Sequence, residues 1–214
     1  KKQSSTATHR PGKPGEPEPE KPPAMDGIKD IAPVTLTAGS GKNVFSDCEN
    51  HWANDTINSV YDAGIISGYS ENLFKPDKNI TRAEFCAFLM RSLSLEEGVY
   101  SGEYADVSPQ SWYAGVIQTM LNCGIVKGVG NENFAPNAPV TREQITVMIM
   151  RAYSIIKPDM PKGVLAFSDN SDISDYAVYS VAAAAESGIV KGNSDTMFLP
   201  GENATRAEAI VMLA

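Results

Sequence analysis

The chain has 214 residues, of which 42% are hydrophobic, at a formal net charge of −8, the balance of a globular block carrying a tail. No run of about 18 apolar residues occurs, so no stretch is a candidate helical membrane span. Residues 1–44 hold seven Lys/Arg and five Asp/Glu, and the remaining eleven and twenty-one leave the body at −10. That balance speaks against a nucleic-acid partner and makes recognition of any anion a local matter.

The opening Lys1-Lys2-Gln3 has neither an initiating Met nor a following apolar signal segment, so a fragment of a longer protein is expected. It stops at Met212-Leu213-Ala214, inside an expected helix. Residues 1–24 are rich in Pro, Gly and charge, with Pro11-Gly12-Lys13-Pro14 and Pro22-Pro23. Such a stretch reads as a semi-rigid spacer, which implies cargo upstream. Residues 25–44 show little periodicity, and Ile31–Thr37 is expected to lie extended against the body. Cys86 and Cys123 fall in apolar helical segments as small hydrophobes, and Cys48 falls in a polar loop. With no C-x-x-C pairing and with His9 far from His51, a zinc site has little support, and no cofactor is expected.

From residue 45 the chain repeats itself three times. Phe45-Ser46-Asp47, Tyr104-Ala105-Asp106 and Phe167-Ser168-Asp169 open the units, followed by Trp52, Trp112 and Tyr176. Gly64, Gly124 and Gly188 come next, then Gly68, Gly128 and Gly192, then Phe74, Phe134 and Phe198, each two residues before a Pro. Thr81, Thr141 and Thr205 complete the pattern at an identical distance from the aromatic. Each unit reads as helix, loop, helix. Apolar residues at helical spacing predict first helices over 52–63, 112–123 and 176–187, ended by a Gly. Second helices are predicted over 82–95, 142–156 and from 206 onward. One such unit cannot bury its apolar faces alone, and three could stack in a row or close around a pseudo-threefold axis.

Each second helix starts with a capping box, Thr81 with Glu84, Thr141 with Gln144 and Thr205 with Glu208. Ile80 with Phe85 and Val140 with Ile145 suit a hydrophobic staple, whereas Ala204 with Ala209 is too small to grip well. The N1 position is Arg82, Arg142 and Arg206 in turn. A cation there opposes the helix dipole by roughly 0.3–1 kcal/mol, so the arginines are expected to do something other than fold the helix. A guanidinium beside free helical N–H groups suits a carboxylate or phosphate; the plainer alternative is an ion pair to an acid of a neighbouring repeat.

Phe-Ser-Asp, Trp-Ala, Gly-Ile-Ile-Ser-Gly-Tyr, Phe-Lys-Pro-Asp and Ile-Thr-Arg-Ala-Glu together closely resemble the S-layer homology (SLH) domain, over 45–214. The resemblance implies a mainly α fold of three helix-loop-helix repeats, arranged as a pseudo-trimeric, three-pronged spindle with a central helical bundle. Repeats would occupy 45–100, 101–163 and 164–214, behind the 1–44 linker and lead-in. It also implies a non-enzymatic module at the bacterial cell surface. Such modules anchor exported proteins non-covalently by binding secondary cell wall polymer, often through terminal pyruvylated N-acetylmannosamine. The implied ligand residues are Arg82, Arg142 and Arg206 for the carboxylate; Asp47, Asp106 and Asp169; Trp52, Trp112 and Tyr176; and Gly68, Gly128 and Gly192. The aromatics could equally be core, and the glycines could serve backbone geometry alone. Lys127 and Lys191 are candidate second cations, where the first repeat has Ser67.

Three departures make unequal sites the expectation, with repeat one nearest the family pattern. The turns before the Phe read Glu71-Asn72, Asn131-Glu132 and Asp195-Thr196. Glu and Thr tolerate positive φ poorly, so the second and third turns should differ in shape. Repeat two places Glu143 beside Arg142, and repeat three has an acidic loop over 169–175. Rival readings are a glycoside hydrolase, for which no single carboxylate pair stands out, and a calcium loop at 169–175, which lacks the Gly and Glu of the hand-type loop. The third is a helical protein-interaction scaffold or S-layer assembly module without glycan binding.

Overall fold

A computed structural model describes residues 31–37, 43–192 and 196–214; the Pro-rich spacer lies outside them. Among the described residues there are six α-helices and no strands longer than isolated bridges. They are α1 (Asn54–Asp62), α2 (Arg82–Ser92), α3 (Ala114–Asn122), α4 (Arg142–Ile156), α5 (Val178–Glu186) and α6 (Arg206–Leu213). The predicted pairs are therefore present, each first helix starting two residues later than its apolar pattern suggests. None of the described helices is long and apolar enough to cross a membrane.

Local chemistry explains the helix ends. Thr81, Thr141 and Thr205 each complete both halves of the capping box. Gly64, Gly124 and Gly188 close the first helices at φ 74°, 66° and 72°, the left-handed geometry that glycine reaches without steric cost.

The choice between a row and a ring is made by backbone hydrogen bonds. Ile80 N–H donates to Ala204 C=O at 3.0 Å, Val140 N–H to Ile80 C=O at 3.1 Å, and Ala204 N–H to Val140 C=O at 3.0 Å. Three repeats thus close a circuit around a pseudo-threefold axis, and all three side chains in it are fully buried. Ala204, too small for a staple, is nonetheless fully buried at that junction. Helix packing follows the same cycle: α3 lies against α2, α5 against α4, and α1 against α6. Each first helix therefore covers the second helix of the preceding repeat, and α4 also touches α6.

The main core runs through the first two repeats and takes in Ala207 and Ile210 of the third, with Ile57, Phe74, Phe85, Leu89, Ile117, Phe134 and Ile145 buried. A smaller, alanine-rich cluster around Val181, Ala184 and Phe198 serves the third. Cys86 and Cys123 are buried as expected, and so is Cys48, although the segment around it is polar. It sits in a single 3-10 turn, Ser46–Cys48, directed inward. Ahead of the repeats, Val34 N–H donates to Ser92 C=O at 2.9 Å. Ile31, Val34 and Leu36 pack on the core, so residues 31–37 do lie on the body.

Candidate functional site

The opening aspartates are built into the loops. Asp47 accepts the Phe74 and Lys75 amides at 3.0 and 2.7 Å, Asp106 those of Phe134 and Ala135 at 2.8 and 2.7 Å, and Asp169 those of Phe198 and Leu199 at 2.8 and 2.7 Å. The second residue of each pair has φ near +60°: Lys75 61°, Ala135 59° and Leu199 60°. Side chains other than glycine find that region costly, and the carboxylate clamps it. Burial alone would raise the Asp47 and Asp169 pKa values, yet the donated amides outweigh it and hold both below the usual 3.8.

The turns before Phe do differ between repeats, although not through avoidance of positive φ. Asn131 and Glu132 adopt φ 51° and 57° and Thr196 adopts 63°, whereas neither Glu71 nor Asn72 is positive. Asp195 lies outside the described residues. The paired glycines serve close packing. A Cβ on Gly68 would lie 2.5 Å from Ser70 O and 2.6 Å from the Phe45 ring, and one on Gly128 would lie 2.5 Å from the Tyr104 ring. Gly192 is less confined, its nearest contact being Met197 O at 3.2 Å.

Trp52, Trp112 and Tyr176 are not core residues. They are 66%, 57% and 55% exposed, and the residues after them, Ala53, Tyr113 and Ala177, point inward instead. Trp112 and Tyr176 each wall a groove between repeats. Trp52 lies beside His51, with ring centroids 5.3 Å apart, and lines neither groove described below.

The first groove, of about 220 Å³, is lined by Gly68, Tyr69, Glu84, Arg91, Trp112 and Arg206 among others. The second, of about 460 Å³, includes Arg82, Lys127, Gly128, Gln144, Arg151 and Tyr176. Each draws on all three repeats, because an arginine from one repeat crosses to the loop of the next while the aromatic comes from the third. Around Arg142 the corresponding residues are Lys191, which is exposed, with Gly192 and Glu208.

The arginines do not sit beside free helical amides. At N1, Arg82 N–H donates to Ala138 C=O, Arg142 N–H to Glu202 C=O and Arg206 N–H to Lys78 C=O, at 2.9–3.0 Å. The N2 amides of Ala83, Glu143 and Ala207 reach Pro136, Pro200 and Pro76. The neighbouring repeat therefore satisfies the helix start, and only the guanidinium remains to meet an anion.

Those guanidinium groups are unequally engaged. Arg206 donates from Nε to Phe74 C=O at 2.9 Å and from Nη2 to Ser67 C=O at 3.3 Å, and Nη1 lies 3.5 Å from Glu84 Oε1. Its plane covers the Phe74 ring at 4.3 Å. Arg142 donates from Nε to Phe198 C=O at 2.9 Å and lies 3.8 Å from Glu208 Oε1. In these two repeats the plainer reading, an ion pair between repeats, is present; the acid is the N3 glutamate of the capping box. Arg82 is different. Nη2 donates to Lys127 C=O at 2.6 Å and the group lies over Phe134 at 4.7 Å, but the buried Nε has no acceptor and no carboxylate is within ion-pair distance among the described residues.

Two further groove cations went unmarked by the repeat pattern. Arg91 and Arg151 stand ten places after the capping Thr and donate to Ile65 and Ile125 carbonyls; their common offset was the available signal. Burial, then the neighbouring Arg82, lowers the Arg151 pKa, so two cations crowd one groove. Glu143 does not turn to Arg142. It accepts from Ser174 N–H at 3.1 Å, Ser174 Oγ–H at 2.9 Å and Tyr176 O–H at 2.8 Å, fixing the aromatic wall. Burial and then this carboxylate push the Tyr176 phenol up to about 12. Among the described residues no His/Cys/Asp/Glu group is placed to hold a metal.

A family profile described as S-layer homology domain matches residues 44–86, 103–146 and 166–210. The chain belongs to the S-layer homology domain family. Its SLH repeats are similar to part of an amylopullulanase of Thermoanaerobacterium thermosulfurigenes, 40% identical over 79% of this chain but only 9% of that protein. An exoglucanase XynX of Acetivibrio thermocellus is 37% identical over 79% of this chain and 16% of its own length. A surface-layer 125 kDa protein of Lysinibacillus sphaericus is 29% identical over 85% of this chain and 15% of that protein. The SLH chain thus spans less than a fifth of these relatives. The module carried by enzymes and S-layer proteins alike is a surface-anchoring one, and it belongs at the bacterial cell surface or wall.

Proposed function

We propose that this SLH module tethers its parent protein non-covalently to the wall by binding an anionic secondary cell wall polymer in the grooves between repeats, without catalysis. The ligand is the polymer's terminal acidic sugar, a pyruvate ketal of N-acetylmannosamine fitting best, since it offers one carboxylate to a guanidinium and a sugar face to an aromatic. The observation that carries this reading is the second groove. It is large enough for a monosaccharide, walled by half-exposed Tyr176, and holds buried Arg82 with Arg151 and no acidic lining residue among those described. A desolvated cation without a counter-ion is costly, and a ligand carboxylate removes that cost. A charge-assisted contact is worth about 1.5–3 kcal/mol, so durable attachment would draw on more than one groove through effective concentration.

The test is co-sedimentation with purified walls before and after acid treatment that strips the polymer. Retention should be lost on stripping and should fall in Arg82→Ala. Retention that survives stripping would instead favour attachment through protein contacts.

A further inference from the structure

The three arginines share one register, and so do the residues they meet across each groove. Arg206 meets Glu84 and Arg142 meets Glu208, but the same position opposite Arg82 is Gln144. The capping box does not need this change. Gln144 closes the box through Thr141 N–H and its own amide at 3.3 and 3.4 Å, as Glu84 does at 2.8 and 3.3 Å. What changes is the charge facing the groove. The Nε atoms of Arg142 and Arg206 also have carbonyl acceptors, whereas that of Arg82 has none although the residue is only 7% exposed.

We propose that Gln144 determines where this molecule binds its anion: its neutral amide leaves Arg82 to a glycan carboxylate, making the 460 Å³ groove the principal site. Glu84 and Glu208 act as built-in competitors that occupy Arg206 and Arg142. The identity of the glycan rests on the wall-polymer reading; the ranking of grooves rests on charge alone.

Isothermal titration of the whole chain with solubilised wall polymer is the first measurement. Gln144→Glu installs the residue that repeats one and three already carry, so the helix cap is retained. It should weaken binding about tenfold to a hundredfold, the range of one charge-assisted contact. The same change should leave the melting temperature equal or higher, because Arg82 then gains the acid its counterparts have. Glu84→Gln should do the reverse, adding a second site per chain. A Gln144→Glu protein that binds within twofold of the parent overturns the ranking. If the parent binds no polymer, the wall-polymer reading fails while the ranking is still decided by a second probe. On titration with sodium pyruvate, followed by NMR of the arginine Nε–Hε groups, the Arg82 signal should move furthest. Equal movement of all three, or of none, overturns the proposal.

Discussion

Arg206→Ala and Arg82→Ala should separate a structural arginine from a ligand-binding one. Arg206 is 3% exposed, donates to two carbonyls from neighbouring loops and pairs with Glu84. Its removal leaves those acceptors and a half-buried carboxylate without their cation, and breaking such a buried pair costs about 3–5 kcal/mol. For a fold of this size each kcal/mol moves the melting temperature by about 2–4 °C, so a fall of roughly 6–20 °C is expected. Arg82 donates one charge-assisted bond, to Lys127, and its removal also eliminates a buried Nε that has no acceptor. The net loss should be about 1 kcal/mol, or 2–4 °C. Thermal unfolding followed by far-UV circular dichroism, with urea titrations to confirm equal m-values, measures both. Equal destabilisation by the two substitutions would refute the asymmetry on which the groove argument stands.

Other consequences follow from the loops and the thiols. Asp169→Ala should cost about 2–4 kcal/mol at pH 7, since the buried carboxylate accepts two amides and clamps Leu199 at positive φ. Its folded pKa lies below the ordinary 3.8, so that contribution is complete above about pH 4 and is lost as the pH falls through the folded value. Urea midpoints of parent and variant should therefore converge in acid, and a gap that widens there would contradict the clamp. Burial pushes the Cys48 and Cys86 thiols up to about 12 and Cys123 to about 11. A thiol reagent at pH 8 should thus titrate none of them in the native protein and all three in denaturant.

Much of the site was visible in the repeat spacing because its parts are tied to local backbone events. Capping Thr, helix-ending Gly and the Arg at N1 mark fixed points on a helix-loop-helix, and such events are encoded within a few residues. The aspartates were found by the same spacing, but their two bonded amides lie 27–30 residues on, so nothing nearby revealed that the loop needed them. The aromatics left core and surface equally open, because a helix start gives adjacent residues opposite directions and only packing decides which faces inward.

Sequence alone determined that there are three copies of one unit, where each second helix begins, and that a cation sits where the helix would rather have none. The closure of those copies into a ring, and therefore which repeat supplies the acid opposite each arginine, was decided only in three dimensions. Glu84 meets Arg206 across more than half the chain. That pairing depends on the Ile80–Val140–Ala204 circuit, whose hydrogen bonds join peptide groups that every residue but proline carries alike. Backbone bonds of that kind leave no residue-specific mark in a sequence, yet here they set which acid or amide faces each guanidinium.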